Sequence, residues 1–362
     1  MTDWAQSGRI DRYRFFAVDP FTLQEKGELQ AEPSACTITW GYYTDNKVCA
    51  DLVLVNDSYI RDGRDAMIRV KHIVELPDGT QAEETLGTFF VDKAERVERD
   101  GIVRQKLTCY SSMWRLSQDF LPSDFVAPVG NNCAQKIGQL ISEVGGTMLT
   151  GAGVDTTRTN WGNCRWRCGV NRLETINEYA GFLNWVVDVD DYGRQILNQY
   201  ISPSKRAVAY EFENGANCVY LPELDETYTG EVYNRVIVCW SRESTPSTPD
   251  GFGLCDKYVT ELQETNEYSF ARCGRYMTKV LDLAEPASQA DMKAKGDAFL
   301  EEHDAAIRYL TIQHVGIPDL RVGQVVRFNR GGEPSNLCEI TQMEIRGLKP
   351  LAITETKLKV IE

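Results

Sequence analysis

The stretch LGTFFVDKAERVERDGIVRQKLTCY, residues 86–110, reads as two strands folded back on each other at Asp100-Gly101. Asp-Gly suits a tight hairpin because both central residues of the favoured turn need positive φ. Leu107, Cys109 and Val103 then share a face. Just upstream, IRVKHIVEL (68–76) puts Ile68, Val70, Val74 and Leu76 on one side and Arg69, Lys71 and Glu75 on the other. Period two with one wet face is an antiparallel pattern, and Pro77-Asp78-Gly79 supplies the next turn. CTITWGYY (36–43) and VCADLVLV (48–55) alternate about the turn-rich TDNK. Residues 1–115 are expected to be all β.

The next segment changes period. In NNCAQKIGQLISEVGG (131–146), Cys133, Ile137, Leu140, Ile141 and Val144 follow helical spacing. Asn131 or Asn132 can cap its start and Gly145-Gly146 can end it. RLETINEYAGFL (172–183) is a second helix, with Leu173, Ile176, Ala180 and Leu183 in one stripe and Asn171 as cap. NWVVDVDDYGRQILNQY then reads as strand, turn, strand. Residues 116–205 form a small α/β module. From 206 the pattern returns to β, with a strand at 231–240, a Pro/Ser/Thr/Gly loop at 241–253 and a helix at about 288–309. Ser288 and Asp291 make a capping box for that helix, and Met292, Gly296, Phe299, His303, Ile307 and Leu310 form its buried stripe. VGQVVRF (322–328), LCEITQMEI (337–345) and ITETKLKVIE (353–362) finish the chain as strands, and residues 337–361 faintly echo 89–110.

A length of 362 residues suggests two or three domains. The 42% hydrophobic content excludes disorder of the whole. The longest apolar runs, such as LNWVVDV (183–189), fall far short of the roughly 20 residues a helix needs to span a bilayer. The N-terminus lacks a signal peptide's apolar stretch, so folding in a cytoplasm is expected, with the 11 scattered cysteines reduced. A net charge of −14, with no clustered basic patch, argues against wrapping nucleic acid.

Candidate chemistry is sparse. Nucleophilic triads need a placed histidine, and His72, His303 and His314 all fall on strand or helix patterns without a nucleophile motif. Cys164 and Cys168 in NCRWRC have ligand-pair spacing, but no second pair completes the four ligands of a closed zinc site. DVDDYG (188–193) superficially resembles a calcium loop, yet the twelfth position is Gln199 where a bidentate Glu is required. Trp161 and Trp166 could line a sugar groove. With 53 acids, however, some carboxylate pair fits any glycosidase spacing and the count decides nothing. Walker, dinucleotide, zincin and kinase signatures are all missing. No catalytic, cofactor or metal residues are assigned.

In order, these phrases look like something. YRFFAVDPFTLQEKGEL opens the chain, LGTFFVDKAER precedes KLTCYSSMWRL, and NCAQKIGQLISEVG leads to LETINEYAGFLNWVVDVDDYGR. EVYNRVIV, a helix, PDLRVGQVVRF and a closing ITQMEI…KLKV hairpin follow. The chain resembles the baseplate-hub, or tail-tip hub, proteins of tailed bacteriophages and related contractile particles. The resemblance implies an α+β fold, mainly antiparallel β. Two β-barrel tube-like domains (1–115 and 206–362) would flank the α/β module (116–205). It further implies a non-enzymatic homotrimer whose six tube-like domains join the tail tube to the tip and let DNA pass. Its partners would be a distal tail protein or tail-tube ring, a tape measure protein, and a tip spike or receptor-binding protein. It would reside in the virion after assembly in the host cytoplasm. Asp92, Glu95, Glu98 and Asp100 on the long hairpin are the candidate lumen-facing acids, mixed with Lys93, Arg96 and Arg99. The alternatives are a glycan-binding or cell-wall-degrading tail module, or an unrelated intracellular scaffold.

Overall fold

A computed structural model of the chain describes residues 8–55, 67–99, 101–160, 162–212, 225–229, 232–241, 255–283, 289–303, 307–329 and 335–361. The first section is a run of strands: β1 Ile10–Val18, β2 Glu25–Leu29, β3 Thr37–Gly41, β4 Val48–Val55, β5 Met67–Glu75, β6 Gln81–Arg99 and β7 Ile102–Tyr110. The middle holds α1 Met113–Ser117, β8 Phe125–Ala127, α2 Cys133–Ser142, β9 Met148–Thr150, β10 Cys164–Trp166, α3 Arg172–Phe182, β11 Trp185–Val189 and β12 Gln195–Gln199. The last section has β13 Val208–Phe212, β14 Asp225–Thr229, β15 Arg235–Ser241, β16 Cys255–Glu261, α4 Phe270–Cys273, β17 Thr278–Leu283 and α5 Gln289–Glu302. It closes with β18 Ile307–Val315, β19 Val325–Phe328, β20 Asn336–Arg346 and β21 Ile353–Val360.

Thirteen strands form one sheet, ordered β14-β18-β21-β20-β3-β4-β7-β6-β5-β1-β2, with β19 beside β20 and β13 beside β19. Its pairings are antiparallel except β13–β19. The chain is thus α+β and mainly antiparallel, as its alternation dictates. Among the described residues the pairing path stays open, ending at β14 and β2, and does not close into a barrel. The first and last sections are joined by β3 against β20, from Gly41↔Gln342 to Thr37↔Arg346. One core serves both: Phe15, Leu52, Val70 and Phe89 pack in the same cluster as Phe212, Leu310, Val326 and Leu358.

These two sections repeat one plan. The lateral order β3-β4-β7-β6-β5-β1 in the first matches β14-β18-β21-β20-β19-β13 in the last, with the strands met in the same sequence order. The hairpins even share a bulge. β6 slips against β7 between Val91 and Lys93, and β20 slips against β21 between Ile340 and Gln342. Flanking pairs correspond, Val91↔Cys109 with Ile340↔Leu358 and Lys93↔Thr108 with Gln342↔Lys357. The echo between 89–110 and 337–361 is one of register more than of side-chain identity. The plan breaks at its end, where β1 runs antiparallel to β5 but β13 runs parallel to β19.

The middle module has its own core, including Leu140, Ile176, Tyr179, Trp185 and Leu197. Asn132 caps α2 by accepting from Gln135 N, and Asn171 caps α3 by accepting from Leu173 N and Glu174 N. It too is built twice. β8, Asn132 and α2 recur at constant spacing as β10, Asn171 and α3, and the matching residues Val126 and Arg165 pair directly across β8–β10. A third unit packs α5 on the three-stranded sheet β16-β15-β17 through Val236, Val238, Met292 and Leu300.

The helix expected at about 288–309 ends at Glu302. Ile307 and Leu310, assigned to its stripe, lie instead in β18, which pairs with β21 from Tyr309↔Lys359 to Val315↔Ile353. Spacings of three and four suit a helix locally, but LTIQHV (310–315), with β-branched Thr311, Ile312 and Val315, finds a partner strand and the pairing wins. Asp100, Trp161, the 242–253 part of the loop and the Ser288 capping box lie outside the described residues.

Candidate functional site

The chemistry-bearing side chains gather at the joints between sections. The first joint lies where β1, β5 and β6 meet the turns at 316–321 and 348–352. Asp11 and His72, diagonal neighbours on β1 and β5, are both buried. His72 Nε2 is 2.7 Å from Asp11 Oδ1 and Nδ1 is 2.9 Å from Glu84 Oε1. With a carboxylate at each ring nitrogen, the imidazolium donates both bonds, and Tyr13 stacks on the ring at 4.6 Å. Arg9 Nη2 reaches Asp11 Oδ1 at 2.6 Å, while Leu351 N donates to Asp11 Oδ2 at 3.1 Å. Glu84 Oε2 accepts from Asp319 N at 2.9 Å and from Arg321 Nη1 at 3.0 Å. Arg321 Nη2 continues to Asp191 Oδ2 in the middle module at 3.1 Å. All three sections thus meet in one network of alternating charge.

Burial alone would neutralise these groups. For His72 it works against the charged ring, but the bonds to Asp11 and Glu84 prevail and its pKa is raised above 6.5. Asp11 is likewise opposed by burial, yet His72 and Arg9 bring its carboxyl down to about 2. Glu84 is lowered by the same contest, burial against His72 and Arg321. Asp191 goes the other way: burial raises it despite Arg321.

A second joint fixes the connection from the middle module to the last section. Glu339, fully buried, accepts from Arg206 Nη1 at 2.7 Å and from Tyr43 OH at 2.6 Å. Arg206 also donates to Gly323 O at 2.6 Å and lies over the rings of Tyr42 and Tyr200. A third joint covers a face expected to be wet. Arg69 is only 5% exposed, because β2 and the β11–β12 turn sit over it. It donates to Thr88 Oγ1, Glu25 Oε1 and Leu23 O, with the Tyr192 ring 4.9 Å away. The antiparallel pattern is there; the solvent is replaced by another part of the chain.

The other sequence candidates take structural places. His303 closes α5, its Nδ1 2.9 Å from Phe299 O and its ring stacked on Phe299. His314 is buried, donating from Nδ1 to Val315 O and accepting at Nε2 from Thr356 Oγ1. Burial pushes its pKa down to about 4. Cys164 is buried and Cys168 exposed, each with a backbone oxygen as its sulfur's partner. No group of three potential ligands is found among the described residues. Asp190 accepts from Tyr192 N and Arg194 N, which makes DVDDYG the β11–β12 turn. Trp166 is 6% exposed and packs on Phe125 and Tyr179, so it lines no groove. Asp92, Glu95 and Glu98 are exposed on the part of β6 that runs past β5. Glu95 pairs with Lys106 and Glu98 with Val103, so the pleat turns these two acids to opposite faces. The sequence reading missed the ion clasp. Its one local signal is charge at inward positions of apolar strands, such as Asp11 in IDRYRFFAV. Among the described residues no helix is long and apolar enough to cross a membrane.

The architecture has counterparts among solved structures. The tail protein from Neisseria meningitidis MC58 superposes with a TM-score of 0.66 at 12% identity, over 96% of each chain. The 43 kDa tail protein of prophage MuSo2 from Shewanella oneidensis gives 0.59 at 10% identity, over 95% of this chain and 98% of that one. The prophage tail protein gp18 from Listeria monocytogenes gives 0.58 at 11% identity, over 96% and 94%. No family model and no curated protein matches the sequence. At such identities the likeness is one of fold: the whole chain has the fold of phage tail proteins.

Proposed function

We propose that this chain is a non-enzymatic structural protein of a phage tail or related particle. Three copies would stand as a homotrimeric hub ring at the tail tip. The observation that carries this reading is the repeated strand plan. The first and last sections act as two tube-like domains, 1–115 and 206–362, with the module at 116–205 beside them. Three chains then supply six similar units, a number that matches a six-fold tube above and a three-fold tip below. The buried clasp fits such a part, since it ties Asp11, His72, Glu84 and Arg321 to one another and fixes the relative setting of the sections. The ring's neighbours would be a distal tail protein or tube ring, a tape measure protein, and a tip spike or receptor-binding protein. It would be assembled in the host cytoplasm and carried in the virion.

Of the lumen candidates, Glu95 lies on the face of β6 turned away from the Leu107 side, whereas Glu98 lies on the Leu107 side. Glu344 holds the matching place in β20, so Glu95 and Glu344 would give six acids around the passage. Lys93 and Lys106 share that face, and its mixed charge leaves no continuous basic track for DNA to bind. Negative-stain electron microscopy of the purified protein tests the reading. Three-fold rings with a central hole are expected. Asymmetric single particles at every concentration would contradict it. A peptidoglycan-degradation assay should release no soluble fragments.

A further inference from the structure

Among the described residues the two repeats meet through β3 and β20, and each end of the repeat carries half of the same joint without a paired strand. On β20, Asn336–Glu339 pairs with β19, and beyond the bulge Gln342–Arg346 takes β3 along the same edge. On β6, Gln81–Phe90 pairs with β5, but beyond the matching bulge Lys93–Arg99 has, among the described residues, β7 alone as its partner. Residues 92–98 are all exposed there. Among the described residues β14, the counterpart of β3, is paired only with β18, and its Glu226 and Thr227 are exposed. An open strand edge is a template for another chain.

We propose that β14 of one copy adds antiparallel to the free edge of β6 in the next, reproducing the β3–β20 joint between subunits. This rests on the trimeric reading above and names the surfaces that close the ring. The register follows from the repeat. Gln342 and Lys93 are each the first paired residue past the bulge, so Glu344 corresponds to Glu95 and Ile345 to Arg96. Ala50 and Leu310 sit opposite Cys109 and Leu358, so their own partners Ile38 and Glu226 correspond. The internal pairs Glu344↔Thr39 and Ile345↔Ile38 become Glu95↔Thr227 and Arg96↔Glu226 between copies. An apolar pair inside the chain is replaced by an opposite-charge pair at the subunit joint. Charge on a free edge keeps it soluble and discourages wrong partners until the right strand arrives. Glu226 also has an ion pair to Arg308 on its own β18, which holds β14 in place. A head-to-tail contact of this kind closes into a ring when its rotation allows. Three copies then contain six like joints, three within chains and three between.

Disulfide trapping tests this. The exposed Cys168 and Cys273 are first replaced by serine, and this background is the control. One tagged chain carries Glu95→Cys and a differently tagged chain carries Thr227→Cys, both at exposed positions. On mixing and oxidation a mixed-tag dimer is expected, and a chain with both substitutions should give a covalent trimer. The slipped pair Arg96→Cys with Thr227→Cys should link at least ten-fold less. Equal linking of the slipped pair overturns the register. No linking while the unmodified protein sediments as a trimer overturns the strand assignment and leaves the ring standing. No linking and no trimer at any concentration overturns both.

Discussion

Asp11 and His72 lie in neighbouring strands with 2.7 Å between Oδ1 and Nε2, and their side chains are 1% and 2% exposed. A charged pair so deep in an antiparallel sheet is unfavourable in isolation. It persists because Arg9, Glu84 and Arg321 balance the charge, and because backbone N–H groups of Leu351 and Asp319 fill the remaining carboxylate positions. Those two N–H groups come from turns of the last section. The clasp therefore fixes how the first section is set against the last.

Replacing His72 by Gln leaves two buried carboxylates without their shared cation. A loss of about 3–5 kcal/mol in unfolding free energy is expected, the range for removing one partner of a buried ion pair. Urea titration followed by tryptophan fluorescence measures it. Replacing exposed Glu98 by Gln should change the midpoint hardly at all.

The same histidine sets an alkaline limit. Its folded pKa is raised above the ordinary 6.5, so the stability it contributes is complete below about that pH. It is lost as pH rises through the folded value, because the unfolded state releases the proton first. Melting temperature measured from pH 6 upward should fall with a component that H72Q removes.

His314 works in the opposite sense. It is buried and neutral, and its pKa falls from 6.5 to about 4. Its contribution is complete above pH 6.5 and is lost as pH falls through about 4, since the unfolded chain takes up the proton there. That amounts to about 3 kcal/mol. His314→Gln should flatten the acid limb of the stability profile between those values and leave the alkaline limb unchanged.

Much of the fold was legible because its signals are local. Period-two alternation placed β3, β4, β5 and β7, and an asparagine before an apolar stripe placed α2 and α3. What escaped needed partners far along the chain. Ile307 and Leu310 fit a helical stripe until β14 pairs with the first and β21 with the second as strand. Arg69 fits a wet face until Tyr192 and Leu23 cover it. His72 could be placed on a strand, but not between Asp11 and Glu84. Asp11 arrives through the β1–β5 pairing, and Glu84 is set by Arg321 and Asp319 from the far end of the chain. The edges that β6 and β14 leave open among the described residues were likewise invisible, since an edge is defined only by the strands that do not pair with it.

The Arg206–Glu339 joint gives the last prediction. Glu339 is fully buried, and without Arg206 its carboxylate keeps the Tyr43 hydroxyl as a hydrogen-bond donor but loses its cation. Arg206→Ala should therefore cost about 3–5 kcal/mol, while the double substitution R206A/E339Q should recover part of that loss by removing the stranded charge. Gly323 reaches the same joint from the backbone side. Its φ is +79°, and a Cβ there would sit 2.5 Å from the Tyr42 ring that Arg206 stacks on. Gly323→Ala must strain the turn and displace the ring, with a loss of about 1–3 kcal/mol expected from backbone strain alone. If the joint acts as one unit, R206A and G323A measured by urea unfolding will be less than additive, because each already releases the ring from the guanidinium. Strict additivity would mean that Gly323 serves its turn alone.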